Sequence, residues 1–172
     1  MKQLLRISQA LEYYTKIGYR YIEVPWIVSE STIKMTFSGP NYWIGDKCLV
    51  GSAEQSFLEL MDTLENARYV TWSPCFRPDK LDFWHQRYFL KVELIAVHEI
   101  CVQEMMEDAR AFFNRFLKTD IVKTDDGYDL YSGGVELGSY GYRHNKAVGG
   151  WTYGTGLAEP RCSKLEIIRP GR

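Results

Sequence analysis

The chain has 172 residues, a formal net charge of −1, 45% hydrophobic residues and 25% charged residues. This is the profile of a globular chain long enough for one domain with a sizeable core, and one domain rather than a long multidomain enzyme is expected. A near-neutral balance also argues against nonspecific grip on nucleic acid, which needs a basic surface. Residues 4–16 form the first expected helix, because Leu4, Ile7, Leu11 and Tyr14 recur at three- and four-residue steps. Gly18 stops it, and Tyr21-Ile22-Glu23-Val24 follows as a short strand cut by Pro25. That unit is either a core piece or a dimer seam. Residues 29–45 are polar with a turn at Gly39-Pro40-Asn41, and their length suits an active-site loop. Lys47-Cys48-Leu49-Val50 reads as a strand. Ser52 then precedes Gln55 at capping-box spacing and opens a helix buried through Phe57, Leu60, Met61 and Leu64. Glu54 lies in its first turn, where it serves either as a helix-favoured anion or at the mouth of a pocket.

Residues 69–76 and 88–97 read as strands around a polar loop at 79–84. Arg77 ends the first strand, and a guanidinium there can hold a phosphate through parallel donors. On the return come His85, then Phe89, whose ring offers a face for a base, then Glu93, a carboxylate able to hold Mg²⁺. The competing reading of these residues is a buried Arg–acid pair with aromatic filler. Residues 99–118 form the strongest helix, with a buried stripe of Cys101, Met105, Ala109, Phe112 and Phe116. His98 precedes it as a structural residue. Residues 123–127 turn into the strand Tyr128-Asp129-Leu130-Tyr131, which Gly133-Gly134 breaks.

A second candidate site is Val135 to Arg143, where Glu136 can hold a metal ion and Arg143 a phosphate or carboxylate. Gly138, Ser139 and Gly141 between them permit a ligand to approach the backbone. A third begins at Gly149-Gly150 and runs through the short strand Trp151-Thr152-Tyr153, Gly154, Gly156 and Ala158 to Arg161. It lacks the spacing of a dinucleotide fingerprint, but Arg161 can reach the same nucleotide from its other side. Residues 164–168 close the chain as a helix turn or a strand. Arg143, Lys146, Arg161, Lys164, Arg169 and Arg172 make this last part locally basic. Cys48, Cys75, Cys101 and Cys162 lack metal-like spacing and read as reduced residues of an intracellular protein. With no signal-like or membrane-spanning apolar run, the expected setting is cytoplasmic, away from membranes.

Three stretches in order resemble the catalytic core of the class II aminoacyl-tRNA synthetases, with the nearest likeness to the aspartyl, asparaginyl and lysyl subgroup. The first is Gly18 to Pro25. The second is Phe76-Arg77-Pro78-Asp79 with His85 to Phe89, and the third is Gly154 to Arg161. Tyr128-Asp129-Leu130 and Gly134 to Gly138 resemble the aspartyl-type strand pair between the last two. The resemblance implies an α+β fold, a mixed and mostly antiparallel sheet flanked by helices; one such domain is expected over 1–172, departing from the family in having no anticodon-binding domain. It implies ATP and Mg²⁺ as cofactors, and activation of an amino acid or other small carboxylic acid as an acyl-adenylate.

By that resemblance Arg77 holds the α-phosphate, Phe89 stacks on adenine, and His85 lies near the outer phosphates. Arg161 covers the other adenine face and touches the γ-phosphate. Arg143 belongs to the same ligand shell, and Glu93 and Glu136 hold the metal. Ser52, Glu54 and Gly138 lie toward the amino-acid end. A homodimer through residues 4–25 follows from the same likeness, and tRNA or another nucleic acid is a further partner that the net charge does not support. The sequence departs from the family at Asp79, where Glu is usual, at Ala158, where glycine is usual, at Pro160, where an acid is usual, and at Gly141, where the aspartyl type has serine. These departures motivate the alternative of a non-catalytic synthetase-like module that binds a nucleotide or RNA.

Overall fold

The computed structural model describes residues 2–168; Arg169 and Arg172 of the basic stretch lie outside them. In chain order the elements are α1 (Lys2–Lys16), β1 (Arg20–Tyr21), β2 (Ile27–Ser29), α2 (Glu30–Lys34), β3 (Trp43–Ile44), β4 (Lys47–Leu49) and α3 (Ala53–Glu59). They continue with β5 (Arg68–Phe76), β6 (Tyr88–Val97), α4 (Val102–Phe113), β7 (Asp120–Lys123), β8 (Gly127–Ser132), β9 (Val135–Asn145), β10 (Gly149–Glu159) and α5 (Arg161–Ile168). A seven-stranded sheet has the order β1-β5-β6-β10-β9-β8-β7, and a small three-stranded sheet the order β2-β4-β3. Among the described residues β1 and β5 are the one parallel pair of the large sheet; its other pairs are antiparallel. The mixed, mostly antiparallel α+β fold is therefore as the sequence implied. No described helix is long and apolar enough to cross a membrane.

The period-2 alternation of β6 divides the molecule. Val92, Leu94 and Ala96 face one way and join a core with Ile7, Ala10 and Tyr14 of α1 and Met105, Ala109 and Phe112 of α4. Ile95 and Val97 face the other way, under Phe57 and Leu58 of α3 and beside Trp151. Earlier on this second face come Phe89, Lys91 and Glu93, and here α3 no longer covers the sheet. The uncovered end is the candidate site. Val50 ties the small sheet to its rim, accepting from the Phe76 amide at 2.8 Å and donating to the Trp26 carbonyl at 3.0 Å.

Some elements differ from the sequence reading for visible reasons. The strand expected over 21–24 is shorter and starts earlier, at Arg20–Tyr21; the Ile22 amide still donates to the Val70 carbonyl at 3.2 Å, and the Thr71 hydroxyl then takes the Ile22 carbonyl. The loop expected over 29–45 is partly ordered: Ser29 caps α2 by accepting from the Thr32 amide, and Glu59 accepts from both hydroxyls. The helix expected from residue 99 starts at Val102, because the Thr152 hydroxyl donates to the Glu99 carbonyl at 2.6 Å and accepts from the Cys101 amide at 3.2 Å. These bonds hold the chain extended at 99–101. Residues 164–168 lie in the helix α5, one of the two forms left open.

Candidate active site

Two clefts meet on the uncovered face. The narrower, about 70 Å³, is lined by Arg77, His85, Phe89, Glu136, Gly138 and Arg161 among others. The wider, about 390 Å³, is lined by Ser52, Glu54, Glu93, Ser139, Arg143 and Tyr153, with Thr36, Phe37, Pro40 and Asn41 of the polar loop at its edge. Arg77, Asp79, Lys91, Glu136 and Thr155 border both, so the two are halves of one depression. All ten residues singled out from the sequence lie on it.

The loop after β5 brings Arg77 to the mouth of the narrow half. Its Nε donates to the Gly51 carbonyl at 2.9 Å, and its guanidinium lies 5.1 Å from the centre of the Phe89 ring. Among the described residues its two terminal nitrogens have no partner, so both remain available to an anion. Across the cleft Arg161, at the start of α5, donates from Nη1 to the Glu136 carbonyl at 3.1 Å. The Glu136 carboxylate is only 4.0 Å from the same nitrogen and accepts from Ser139 Oγ at 3.5 Å.

His85 is oriented by a residue the sequence reading passed over. Asp82 lies 2.7 Å from His85 Nδ1 and accepts from the backbone amides of Trp84 and His85, each at 2.7 Å. These bonds, the His85 side chain first, hold the Asp82 carboxyl down at about 2. The turn-forming habit of Asp, accepting from amides two and three residues on, was the available signal. Lys164 holds the same loop from α5, donating to the Phe83 carbonyl at 2.5 Å.

In the wide half the charged groups are committed to one another. Trp151 and Arg143 are directly opposed on β10 and β9, and both reach Glu54 in the first turn of α3. Arg143 Nη1 is 2.6 Å from both Glu54 oxygens, and Trp151 Nε1 donates to one of them at 2.9 Å. The Arg143 guanidinium also lies 4.1 Å from the centre of the Tyr153 ring. Burial pushes the Glu54 carboxyl above its ordinary value, with Arg143 opposing. Ser52 and Gln55 complete the expected capping box.

Glu93 is 1% exposed, and both its oxygens are taken. Ser52 Oγ donates to Oε2 at 2.6 Å, and Lys91 Nζ lies 3.0 Å from Oε1 and 2.8 Å from Oε2. The expected Mg²⁺ pair of Glu93 and Glu136 does not fit this donor set, because an ammonium stands where the ion would meet Glu93. Among the described residues no three His, Cys, Asp or Glu side chains form a metal-holding group. Lys91 was missed, although its signal was plain: it sits midway between Phe89 and Glu93 in a strand whose alternate residues share a face.

The small residues have a different purpose from the one expected. A Cβ on Gly138 would collide with the Thr155 side chain, and one on Gly154 would come 2.5 Å from the Tyr140 ring and 2.8 Å from Met105 Sδ. A Cβ on Gly141 would lie 2.6 Å from the Tyr153 hydroxyl, which accounts for glycine where the aspartyl type has serine. These glycines admit neighbouring side chains of the protein itself. Gly138 still lines the narrow half, through its backbone.

The fold and this cleft can be set beside known proteins. No family model and no curated protein matches the sequence. Among solved structures, a pyrrolysyl-tRNA synthetase from Desulfitobacterium hafniense matches with a TM-score of 0.76 and 19% identity, over 96% of this chain and 68% of that one. A seryl-tRNA synthetase from Pyrococcus horikoshii, complexed with ATP, matches with a TM-score of 0.75 and 17% identity, over 95% of this chain and 49% of that one. A cytoplasmic serine-tRNA ligase from Naegleria fowleri, in complex with AMP, gives a TM-score of 0.68 and 17% identity, over 94% of this chain and 46% of that one. The likeness shows the class II synthetase catalytic-core fold. It does not single out the aspartyl, asparaginyl and lysyl subgroup, since these neighbours are pyrrolysyl and seryl enzymes.

Proposed function

We propose that this protein activates an amino acid or another small carboxylic acid with ATP, forming an acyl-adenylate and releasing pyrophosphate. The observation that carries this reading is the continuity of the two half-clefts. The narrow half is lined together by a ring, Phe89, and two guanidiniums, Arg161 and Arg77. The wide half, opening beside it, has room for a small acid. In the reaction a carboxylate oxygen bonds to the α-phosphorus while the bond from that phosphorus to the pyrophosphate oxygen breaks. The electron pair leaves with pyrophosphate. The nucleophile is already an anion, so no protein base is needed, and position and charge neutralisation do the catalytic part. Arg77, with terminal nitrogens unspent, suits the α-phosphate, and His85, fixed by Asp82, faces the outer phosphates. Neighbours of the same fold, one complexed with ATP and one with AMP, support the choice of nucleotide. The test is pyrophosphate exchange into ATP with Mg²⁺ in the assay and pooled amino and other carboxylic acids. Exchange that depends on one acid is expected, and none at high enzyme concentration would overturn the reading.

One observation favours a second reading, a synthetase-like module that binds a nucleotide without turnover. Glu54 and Arg143, both expected at ligands, are spent on each other. Saturable ATP binding without exchange would select this reading. The homodimer through residues 4–25 belongs to either. Leu4, Leu5, Ile17 and Tyr21 are exposed there at 56%, 61%, 42% and 43%, and the edge strand β1 has a free side. Sedimentation equilibrium is expected to give twice the chain mass, and a monomer alone would exclude the dimer. Transfer of the acyl group to tRNA or another acceptor, and a cytoplasmic setting, remain part of the same proposal.

A further inference from the structure

We propose that Lys91 is the fixed cation of the reaction centre and contacts the α-phosphate, in place of a metal ion on Glu93. The inference rests on the adenylate-forming reading and adds a residue to it. Lys91 borders both half-clefts, so its ammonium lies where the nucleotide and the acid must meet. Its neighbours explain why it stays there. Glu93 is nearly fully buried and directs both oxygens at the ammonium, while Ser52 Oγ braces the carboxylate at 2.6 Å and lies 3.4 Å from Lys91 Nζ. An ammonium has three N–H donors. One shared between the two carboxylate oxygens and one given at 3.4 Å to Ser52 Oγ leave a third to turn toward the junction. The cation is thereby held before any substrate arrives, which is what preorganised charge stabilisation requires. Glu93 is the positioning residue, acting through Lys91. Arg77 approaches the same phosphate from the exposed mouth, so the two cations flank it from the floor and the rim.

The experiment compares AMP with adenosine by calorimetry, for the wild type and for Lys91→Met, Lys91→Arg and the double variant Lys91→Met/Glu93→Gln. Adenosine carries no phosphate to reach Lys91. The preference for AMP over adenosine is expected to fall about tenfold in Lys91→Met. It should be largely kept in Lys91→Arg, with adenosine affinity unchanged throughout. The double variant removes both buried charges together, so it gives the same readout if the single one unfolds. An unchanged preference, or an equal loss for both ligands, would overturn the inference and leave the nucleotide site standing. Failure of the wild type to bind either ligand would overturn the nucleotide reading itself, and this inference with it. Mn²⁺ titration followed by electron paramagnetic resonance supplies a second arm. Saturable binding to the nucleotide-free wild type that Glu93→Gln abolishes would show a metal at Glu93 and overturn the proposal.

Discussion

Replacing Arg143 by Met is expected to cost about 3 kcal/mol of stability in urea unfolding, the lower end of what breaking a buried ion pair costs. Glu54 is buried in the first turn of α3, and among the described residues its carboxylate is hydrogen-bonded by Arg143 and the Trp151 indole. The lower end applies because the Arg143 side chain is 37% exposed, so water partly solvates the arginine and can reach the gap it leaves. Loss of its contact with the Tyr153 ring adds a smaller part. The sign of the pH dependence separates this from simple loss of packing. Burial raises the folded-state value of Glu54 above its ordinary 4.5, so between the two values the folded chain binds more protons than the unfolded one. Stability falls as pH rises through that window. Without Arg143 the window widens upward, and the variant should lose more at pH 7 than at pH 4. The double variant Arg143→Met/Glu54→Gln should recover most of the loss, because the amide oxygen still accepts from Trp151. Equal destabilisation of the single variant at all pH values, with no recovery in the double, would show that Glu54 carries no uncompensated charge.

The fold was legible where periodicity is two-sided. Strand β6 has the bounds read from its alternation, since one set of residues must meet α1 and α4 and the other must not. The capping box at Ser52 was legible for a similar reason: its chemistry is local. The site was legible as a set of residues but not as a set of partnerships. Glu54 with Arg143, and Glu93 with Lys91, are separated in sequence or masked by adjacency, and a charged side chain does not announce whether a ligand or a neighbour will neutralise it. Glycine carries the same ambiguity. Gly138, Gly141 and Gly154 signal space beside the backbone, and Thr155, Tyr153 and Tyr140 fill it. The edge strand β7 was missed because its residues are all exposed, leaving no apolar face to read.

Arg77→Met is expected to weaken ATP binding about 10- to 100-fold, the value of charge-assisted hydrogen bonds to phosphate. The Arg77 side chain is exposed and, among the described residues, makes one hydrogen bond, from Nε to the Gly51 carbonyl, while its backbone amide keeps the Arg87 carbonyl whatever the side chain, so little folding energy depends on the guanidinium. Its terminal nitrogens face the narrow half beside Phe89. Methionine keeps an apolar stem over the ring while removing the donors, so adenine stacking should persist and the loss should fall on the phosphates. Adenosine affinity should therefore change little. His98→Ala is the control: His98 packs beside Gly149 and borders neither half-cleft. ATP affinity in that variant is expected to match the wild type. Equal losses in the two variants would mean that the phosphates lie elsewhere, since a guanidinium at the mouth of the slot and a histidine outside it cannot both be their partner.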